Sequence, residues 1–320
     1  MNEVMVSVIM ICYNQAQYIE QAVSSVLMQR TNFRYELLIG DDASTDETPE
    51  ILKKLQKQHP NIIRLFLRKH NLGATRNAYE LLMEAKGKYL AFCEGDDYWL
   101  SEWKLSKQLD FLNKHKEYIG CSHYCVLVNE DGTPKGNNRI SWVRYKDRFT
   151  WKDFSGGRYL PGQTASIMKR NIFQGDKGKY ADIFLTHRNI SDRQSMEIYL
   201  LQGDFHCIRE YLSAYRQVLS PRNVTYQAYK NNKDRCLQEI LLVEEMERYA
   251  QRNIGKEVFF IKKRCDILID AIKNVVFSKD KKQIAMLKEV LCRIKLPLYA
   301  YLYLPYGVIR KIFFKLNRIC

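Results

Sequence analysis

The stretch Lys88-Tyr89-Leu90-Ala91-Phe92-Cys93-Glu94-Gly95-Asp96-Asp97-Tyr98-Trp99 decides how the rest of the chain is read. Tyr89 to Cys93 is a short apolar run, which predicts a buried strand. It ends in three acids around one glycine, followed by two aromatic residues. Carboxylates clustered at the end of a hydrocarbon run are costly unless a cation sits among them. Mg²⁺ and Mn²⁺ suit the place, because hard divalent ions take carboxylate oxygens and share substrate phosphates. The plainer reading makes Asp96 or Asp97 the cap of the next helix.

The surrounding chain favours the site. Val6 to Cys12 is a β-branched, almost wholly apolar run that stops at Tyr13-Asn14. Tyr18, Ile19, Ala22, Val23, Val26 and Leu27 then recur at helical spacing. Tyr35 to Ile39 predicts a second strand, stopping at Gly40-Asp41-Asp42-Ala43-Ser44. Thr48 and Pro49 suit the cap and first position of a helix carrying Ile51, Leu52 and Leu55. Asn61 to Leu67 predicts a third strand, ending at His70-Asn71-Leu72-Gly73. A helix from about Ala74 to Ala85 follows, with Gly87 as its C-terminal cap. After the acidic stretch, Ser101 is expected to cap a helix, and Tyr118 to Val128 predicts a fifth strand.

Strands that alternate with helices predict an α/β fold, a mostly parallel sheet with helices on both faces. Ligands of such sheets bind beyond the carboxyl ends of the strands. Four strands here end in polar residues, at Asn14, Asp41-Asp42, Asn71 and Glu94-Asp96-Asp97, which predicts one cleft. No Gly-x-Gly-x-x-Gly follows the first strand and no Walker Gly-Lys-Ser/Thr occurs. A nucleotide diphosphate bound here must therefore be neutralised by a metal and by basic side chains such as Arg76.

Composition sets the wider bounds. The 320 residues are 46% hydrophobic and 27% charged, as in a globular protein. No apolar run reaches the roughly 20 residues of a spanning helix, and the N-terminus does not look like a signal peptide. Nine cysteines without a CxxC pair read as reduced, buried thiols of a cytoplasmic protein. The net charge of +15 is uneven, with +11 in residues 218–320 and +4 before them. From Tyr226 the pattern is helical, with basic clusters at Lys262-Lys263-Arg264 and Lys279 to Lys282. Leu296 to Ile309 is uncharged and rich in tyrosine, with Arg293, Lys295, Arg310 and Lys311 at its ends. A basic amphipathic helix is expected after it. This tail suits a membrane surface, with packing on protein as the alternative. The expected organisation is a domain over 1–217, a helical region over 218–290 and the tail over 291–320.

The four motifs together resemble the family 2 glycosyltransferases: Val6 to Asn14, Asp41 to Asp46, Asn71 to Asn77 and Glu94 to Asp97. The resemblance is strong over about 5–130 and weaker to 217. It implies the GT-A fold, a nucleotide-sugar donor (UDP foremost), metal dependence and inversion. It makes Asp42 the reader of the base, with Tyr13, Asn14, Asp41, Ser44 and Asn71 around the nucleotide and Arg76 near the diphosphate. Asp96 matches the metal-binding acid, with Asp97 beside it as the second metal candidate, and Glu94, which stands where the family usually has Asp, is a candidate sugar or acceptor contact. An inverting transfer needs a base. Asp192 fits that role, with Asp182 as the second candidate. Ile208 to Arg216 resembles the family's edge strand ending in Tyr-Arg, with Gln217-Val218 where a further His is often found. Leu160 to Met168 resembles the segment beneath the acceptor pocket, and Trp99 and Trp103 are candidates to stack on a sugar ring.

The acceptor is expected to be a saccharide or lipid-linked saccharide, as in surface polysaccharide assembly. The expected place is the cytoplasmic face of a membrane. A nucleotidyl transferase would need a Gly-rich basic loop after the first strand, which is absent. A nucleic-acid binder would need basic residues across a face, whereas the excess lies in the tail.

Overall fold

The computed structural model describes residues 3–139, 146–157, 160–174, 178, 180–186, 192–218, 235–255, 257–278 and 281–297. The expected amphipathic tail beyond 297 lies outside these residues. The chain divides into two compact units, Met1–Phe154 with Arg158–Leu219, and Ser155–Gly157 with Ser220–Cys320.

The first unit is built on one sheet. Strands β1 (Val4–Cys12), β2 (Arg34–Asp41), β3 (Ile63–Leu67) and β4 (Tyr89–Phe92) run parallel in the order β3-β2-β1-β4. All four carboxyl ends therefore lie on one edge. Helices α1 (Ile19–Leu27), α2 (Thr48–Gln58) and α3 (Ala74–Glu84) make the crossovers. Alternation along β1 divides the packing. Val6, Val8 and Met10 share a core with Val23 of α1, Leu52 of α2 and Leu105 of α4 (Lys104–Lys114). Helix α3 packs on β1 and β2 outside that cluster. Burying these side chains supplies the main drive to fold, at about 25 cal/mol per Å² of apolar surface.

Past β4 the sheet becomes mixed. Strand β5 (Tyr98–Trp99) follows the acidic loop. Strands β6 (Tyr118–Val128) and β7 (Pro134–Arg139) form a hairpin, and β8 (Arg148–Phe149) pairs with β10 (Asp204–Arg216). Strand β9 (Met168–Arg170) lies antiparallel between β4 and β6 and so joins the two halves of the sheet. β10 runs parallel to β6 and has β5 on its other side, so it is an inner strand and not the expected edge. Helices α5 (Trp151–Ser155), α6 (Ala181–Phe184) and α7 (Asp192–Leu200) come from the intervening segments.

Three expected caps are used otherwise. The Thr48 hydroxyl accepts the Gln15 N–H at 2.9 Å, which ties α2 to the end of β1. Ser101 accepts from Trp103 N–H, one turn ahead of α4, whose cap position has no side-chain bond. Gly87 lies beyond the end of α3. A Cβ there would stand 2.4 Å from Ser7 N, so close approach to β1 requires glycine.

The second unit holds α8 (Arg235–Ile254), α9 (Ile261–Ser278) and α10 (Lys281–Arg293), packed on one another. Its polar centre is Arg264, which pairs with Glu247 and donates to the carbonyls of Arg293 (2.9 Å) and Ile294 (2.8 Å). A buried cation thus satisfies carbonyls at the end of α10, where the helix dipole favours it. Seven of the eight described cysteines are buried, and none of the eight forms a disulfide. No described helix is long and apolar enough to cross a membrane.

Candidate active site

The acidic loop leaves the end of β4 still tied to β1. Cys93 N–H bonds Ile9 O and Gly95 N–H bonds Ile11 O, both at 3.1 Å, so the pairing with β1 continues past Phe92. Glu94 to Asp97 then closes as a turn, the Asp97 N–H donating to Glu94 O at 3.0 Å. Glu94 and Asp96 are partly exposed, while Cys93 and Asp97 are buried, Asp97 to 1% exposure. Gly95 points inward too. A Cβ on it would stand 2.3 Å from Gln15 Oε1 and 2.8 Å from Cys12 Cβ.

Buried Asp97 is held by two donors, Gln163 Nε2 at 2.7 Å and Arg216 N–H at 2.9 Å. The helix-cap reading fails, because the loop runs into β5. Each Asp97 oxygen accepts one donor and keeps a second lone pair toward the neighbouring acids. Gln163 belongs to the Leu160 to Met168 segment and opens the short 3₁₀ turn Thr164–Ser166.

Ligand atoms of Glu94, Asp96 and Asp97 lie within 4.8 Å of one another. Burial, then the charge of Asp96, then that of Asp192 push the Glu94 carboxyl well above its usual range. Asp96 is pushed up by burial and drawn back by its own backbone N–H and the Arg216 guanidinium. Asp97 rises through burial and its two acidic neighbours. Repelling carboxylates of this kind are stabilised by a hard cation, so the donor set fits Mn²⁺ or Mg²⁺ with Asp96 and Glu94 as the cleft-side oxygens.

The other strand ends are tied to one another. Asn14 (φ 52°) and Ala43 (φ 61°) both take the left-handed conformation. Asn14 N–H donates to Ser44 Oγ at 2.8 Å, and Asn14 Oδ1 accepts the Thr45 N–H at 2.8 Å. Asp41 is buried and accepts from both the hydroxyl and the N–H of Ser44. Asp42 accepts the N–H groups of Leu72 (2.7 Å) and Gly73 (3.0 Å), and Asn71 Nδ2 donates to its carbonyl at 3.2 Å. Its carboxylate therefore anchors the 71–73 loop to the end of β2. Tyr13 is half-buried at the end of β1. Arg76 is exposed in the first turn of α3, paired with Glu80 at 3.2 Å, on an open pocket of about 850 Å³ that Asn71 also lines.

Asp192 opens α7 and is exposed, and its Oδ1 accepts the Arg193 N–H at 2.8 Å. Its charge is the last of the three influences that raise the Glu94 carboxyl. Asp182 is the second residue of the four-residue α6 and is exposed. Trp99 is corrected: at 2% exposure its ring is in the core, its Nε1 donates to Ala165 O at 3.1 Å, and Lys104 Nζ covers it at 4.0 Å. No face is left for a sugar. Trp103 is exposed and lies against Arg30 at 5.9 Å.

Two residues carry more than their sequence suggested. Arg216 donates to the loop that holds the acids. Lys169, buried in β9, donates to Ser195 of α7 at 2.6 Å. Arg216 was visible only as the end of a strand. Lys169, in Met168-Lys169-Arg170, gives no signal at all.

A parallel sheet whose four strand ends surround an acidic loop defines a nucleotide-sugar-transferase type of α/β fold. The chain matches the model of Glycosyl transferase family 2 over residues 7–175, just over half its length, and it belongs to that family. An uncharacterized protein of Mycobacterium tuberculosis is 42% identical over 139 residues, 43% of this chain and 40% of that protein. The UDP-Glc:α-D-GlcNAc-diphosphoundecaprenol β-1,3-glucosyltransferase WfaP of Escherichia coli is 35% identical over 122 residues, 38% of this chain and 47% of that protein. The matches span less than half the length of either relative. The crystal structure of S. aureus TarS 1–349 in complex with UDP-GlcNAc superposes with a TM-score of 0.54 at 16% identity, covering 90% of both chains. That likeness establishes a GT-A-like fold.

Proposed function

We propose that this protein is a metal-dependent, inverting glycosyltransferase. It moves a sugar from a nucleotide diphosphate sugar, a UDP-sugar foremost, to a hydroxyl of a saccharide or lipid-linked saccharide. The observation that carries this reading is the cluster of Glu94, Asp96 and Asp97 carboxylates at the carboxyl edge of the parallel sheet, their ligand atoms within 4.8 Å of one another. The names of WfaP and TarS, with their UDP-linked sugars, agree with it.

The residues divide the work. The 13–14, 41–44 and 71–76 segments form the walls for the nucleotide. Asp96 and Glu94 would hold Mn²⁺ or Mg²⁺, which when bound stabilises negative charge on the leaving diphosphate. Asp192 accepts the proton of the acceptor hydroxyl as its oxygen attacks the anomeric carbon. The bond from that carbon to the diphosphate oxygen breaks on the opposite face, so configuration inverts and the nucleoside diphosphate departs. The basic tail is assigned to a membrane surface on the cytoplasmic side, which would bring the cleft to a lipid-linked acceptor.

A screen of nucleotide sugars for donor hydrolysis and transfer, with Mn²⁺ and with chelator, tests the reading. Activity is expected with Mn²⁺ and not with chelator, and Asp96→Ala is expected to abolish it. An Asp96→Ala enzyme at near wild-type rate would sink the assignment.

A further inference from the structure

We infer that Arg216 is the positioning residue of the cation site: it sets Glu94 and Asp96 by gripping the main chain and the inward face of the acidic loop. The inference rests on the metal reading above and goes beyond it, to what orients the ligands.

Arg216 ends β10 and is 4% exposed. Its N–H donates to Asp97 Oδ1 (2.9 Å) and its Nε to the carbonyl of Asp96 (2.9 Å). Nη1 donates to Glu130 O (2.5 Å), in the turn between β6 and β7, and Nη2 to Gln21 Oε1 (2.6 Å) on α1. The guanidinium lies between the rings of Tyr18 (4.8 Å) and Tyr98 (5.3 Å). Tyr18 OH in turn donates to Glu130 Oε1 at 2.5 Å. One planar fork thus joins α1, the hairpin turn and the loop.

Its grip on the loop is directional. Asp97 is buried, while Glu94 and Asp96 are partly exposed. The main-chain N–H of Arg216 holds the Asp97 carboxylate, which any residue there would do, while its Nε holds the carbonyl of Asp96. The side chain therefore fixes the Asp96 peptide and with it where the two cleft-side carboxylates converge. A lysine would keep the charge and lose the fork, since a point charge on a flexible stem cannot serve three acceptors in fixed directions. Ligand convergence is sensitive to such outer partners, whose loss typically costs 10–100-fold in metal affinity.

The test is Mn²⁺ binding to the full chain, followed by the electron paramagnetic resonance of free Mn²⁺, with no substrate needed. Wild type is expected to bind, Asp96→Asn to lose binding, and Arg216→Lys to bind at least tenfold more weakly well below its melting temperature. Wild-type affinity in Arg216→Lys, with binding lost in Asp96→Asn, overturns the inference and leaves the metal reading intact. Absence of Mn²⁺ binding in wild type, or unchanged binding in Asp96→Asn, overturns the metal reading and the inference with it. Should Arg216→Lys not fold, Gln21→Ala loosens the same fork. About threefold weaker binding is then expected, and unchanged affinity overturns the inference.

Discussion

Lys169 Nζ donates to Ser195 Oγ at 2.6 Å, which fastens the helix that begins at Asp192 to the middle of the sheet. The same amine lies over the rings of Tyr199 (4.1 Å) and Phe92 (4.6 Å). Ser195 and Tyr199 are four residues apart and so share one face of α7. Phe92 leads into the acidic loop. One buried side chain thereby touches both the helix of the proposed base and the strand of the proposed cation site.

That burial has a consequence for stability against pH. It pushes the Lys169 amine down to about 7, against 10.5 for an ordinary lysine. Between those values the unfolded chain carries a proton that the folded chain lacks. At this residue unfolding therefore takes up a proton, and the contribution of Lys169 to stability rises with pH from about 7 to about 10.5. The slope approaches one proton, about 1.4 kcal/mol per pH unit. Lys169→Met should remove that slope and leave the similar contribution of Lys104, also pushed down to about 7 by burial. Urea denaturation at pH 7.5, 8.5 and 9.5 checks this. Equal slopes for wild type and variant would mean that Lys169 stays charged in the fold.

Gly95→Ala tests the inward packing of the acidic loop. The new Cβ would stand 2.3 Å from Gln15 Oε1, 2.8 Å from Cys12 Cβ and 2.9 Å from Ile19 Cδ1. The glutamine tip can move, but the β1 and α1 atoms cannot without shifting their elements. A loss of about 1–3 kcal/mol is expected from overpacking, together with weaker Mn²⁺ binding as the loop lifts. A variant with unchanged denaturation midpoint and Mn²⁺ affinity would show that the loop relaxes freely.

Much of this site could be read from the chain because parallel strands bury both faces. Val6 to Cys12 and Tyr35 to Ile39 are nearly continuous apolar runs, and their abrupt polar ends mark one edge. The resemblance of four motifs then gave the residues around the cleft. What was not legible depends on register. Asp96 and Asp97 look alike in sequence, and only the 94–97 turn and the two donors on Asp97, from Gln163 and Arg216, separate a partly exposed acid from a buried one. Strand β9 is three residues long and two of them are basic, so no periodicity marks it. Thr48, Ser101 and Gly87 have the right chemistry for caps, but tertiary partners claim the first and last.

Trp99→Phe separates core from sugar contact. The indole is buried, bonds Ala165 O and lies under Lys104. Removing the indole N–H leaves a buried carbonyl without that donor, and the smaller ring leaves a void. A cost of about 1–3 kcal/mol is expected, with KM values for donor and acceptor unchanged. Raised KM at unchanged stability would return Trp99 to the sugar site.

Asp42→Asn addresses the wall between β2 and the 71–73 loop. Asp42 offers one oxygen to Leu72 N–H and the other to Gly73 N–H. Asparagine keeps one acceptor and sets an NH₂ against the second donor, so a buried N–H loses its bond. Gly73 adds to the demand, because at φ 86° it opens α3 in a conformation suited to glycine. The expected cost is about 1–3 kcal/mol in stability. Its main kinetic effect should be a raised KM for the nucleotide sugar with kcat little changed, since the wall binds donor and takes no part in proton transfer. A fall in kcat at constant KM would instead place Asp42 among the groups that act in the chemical step.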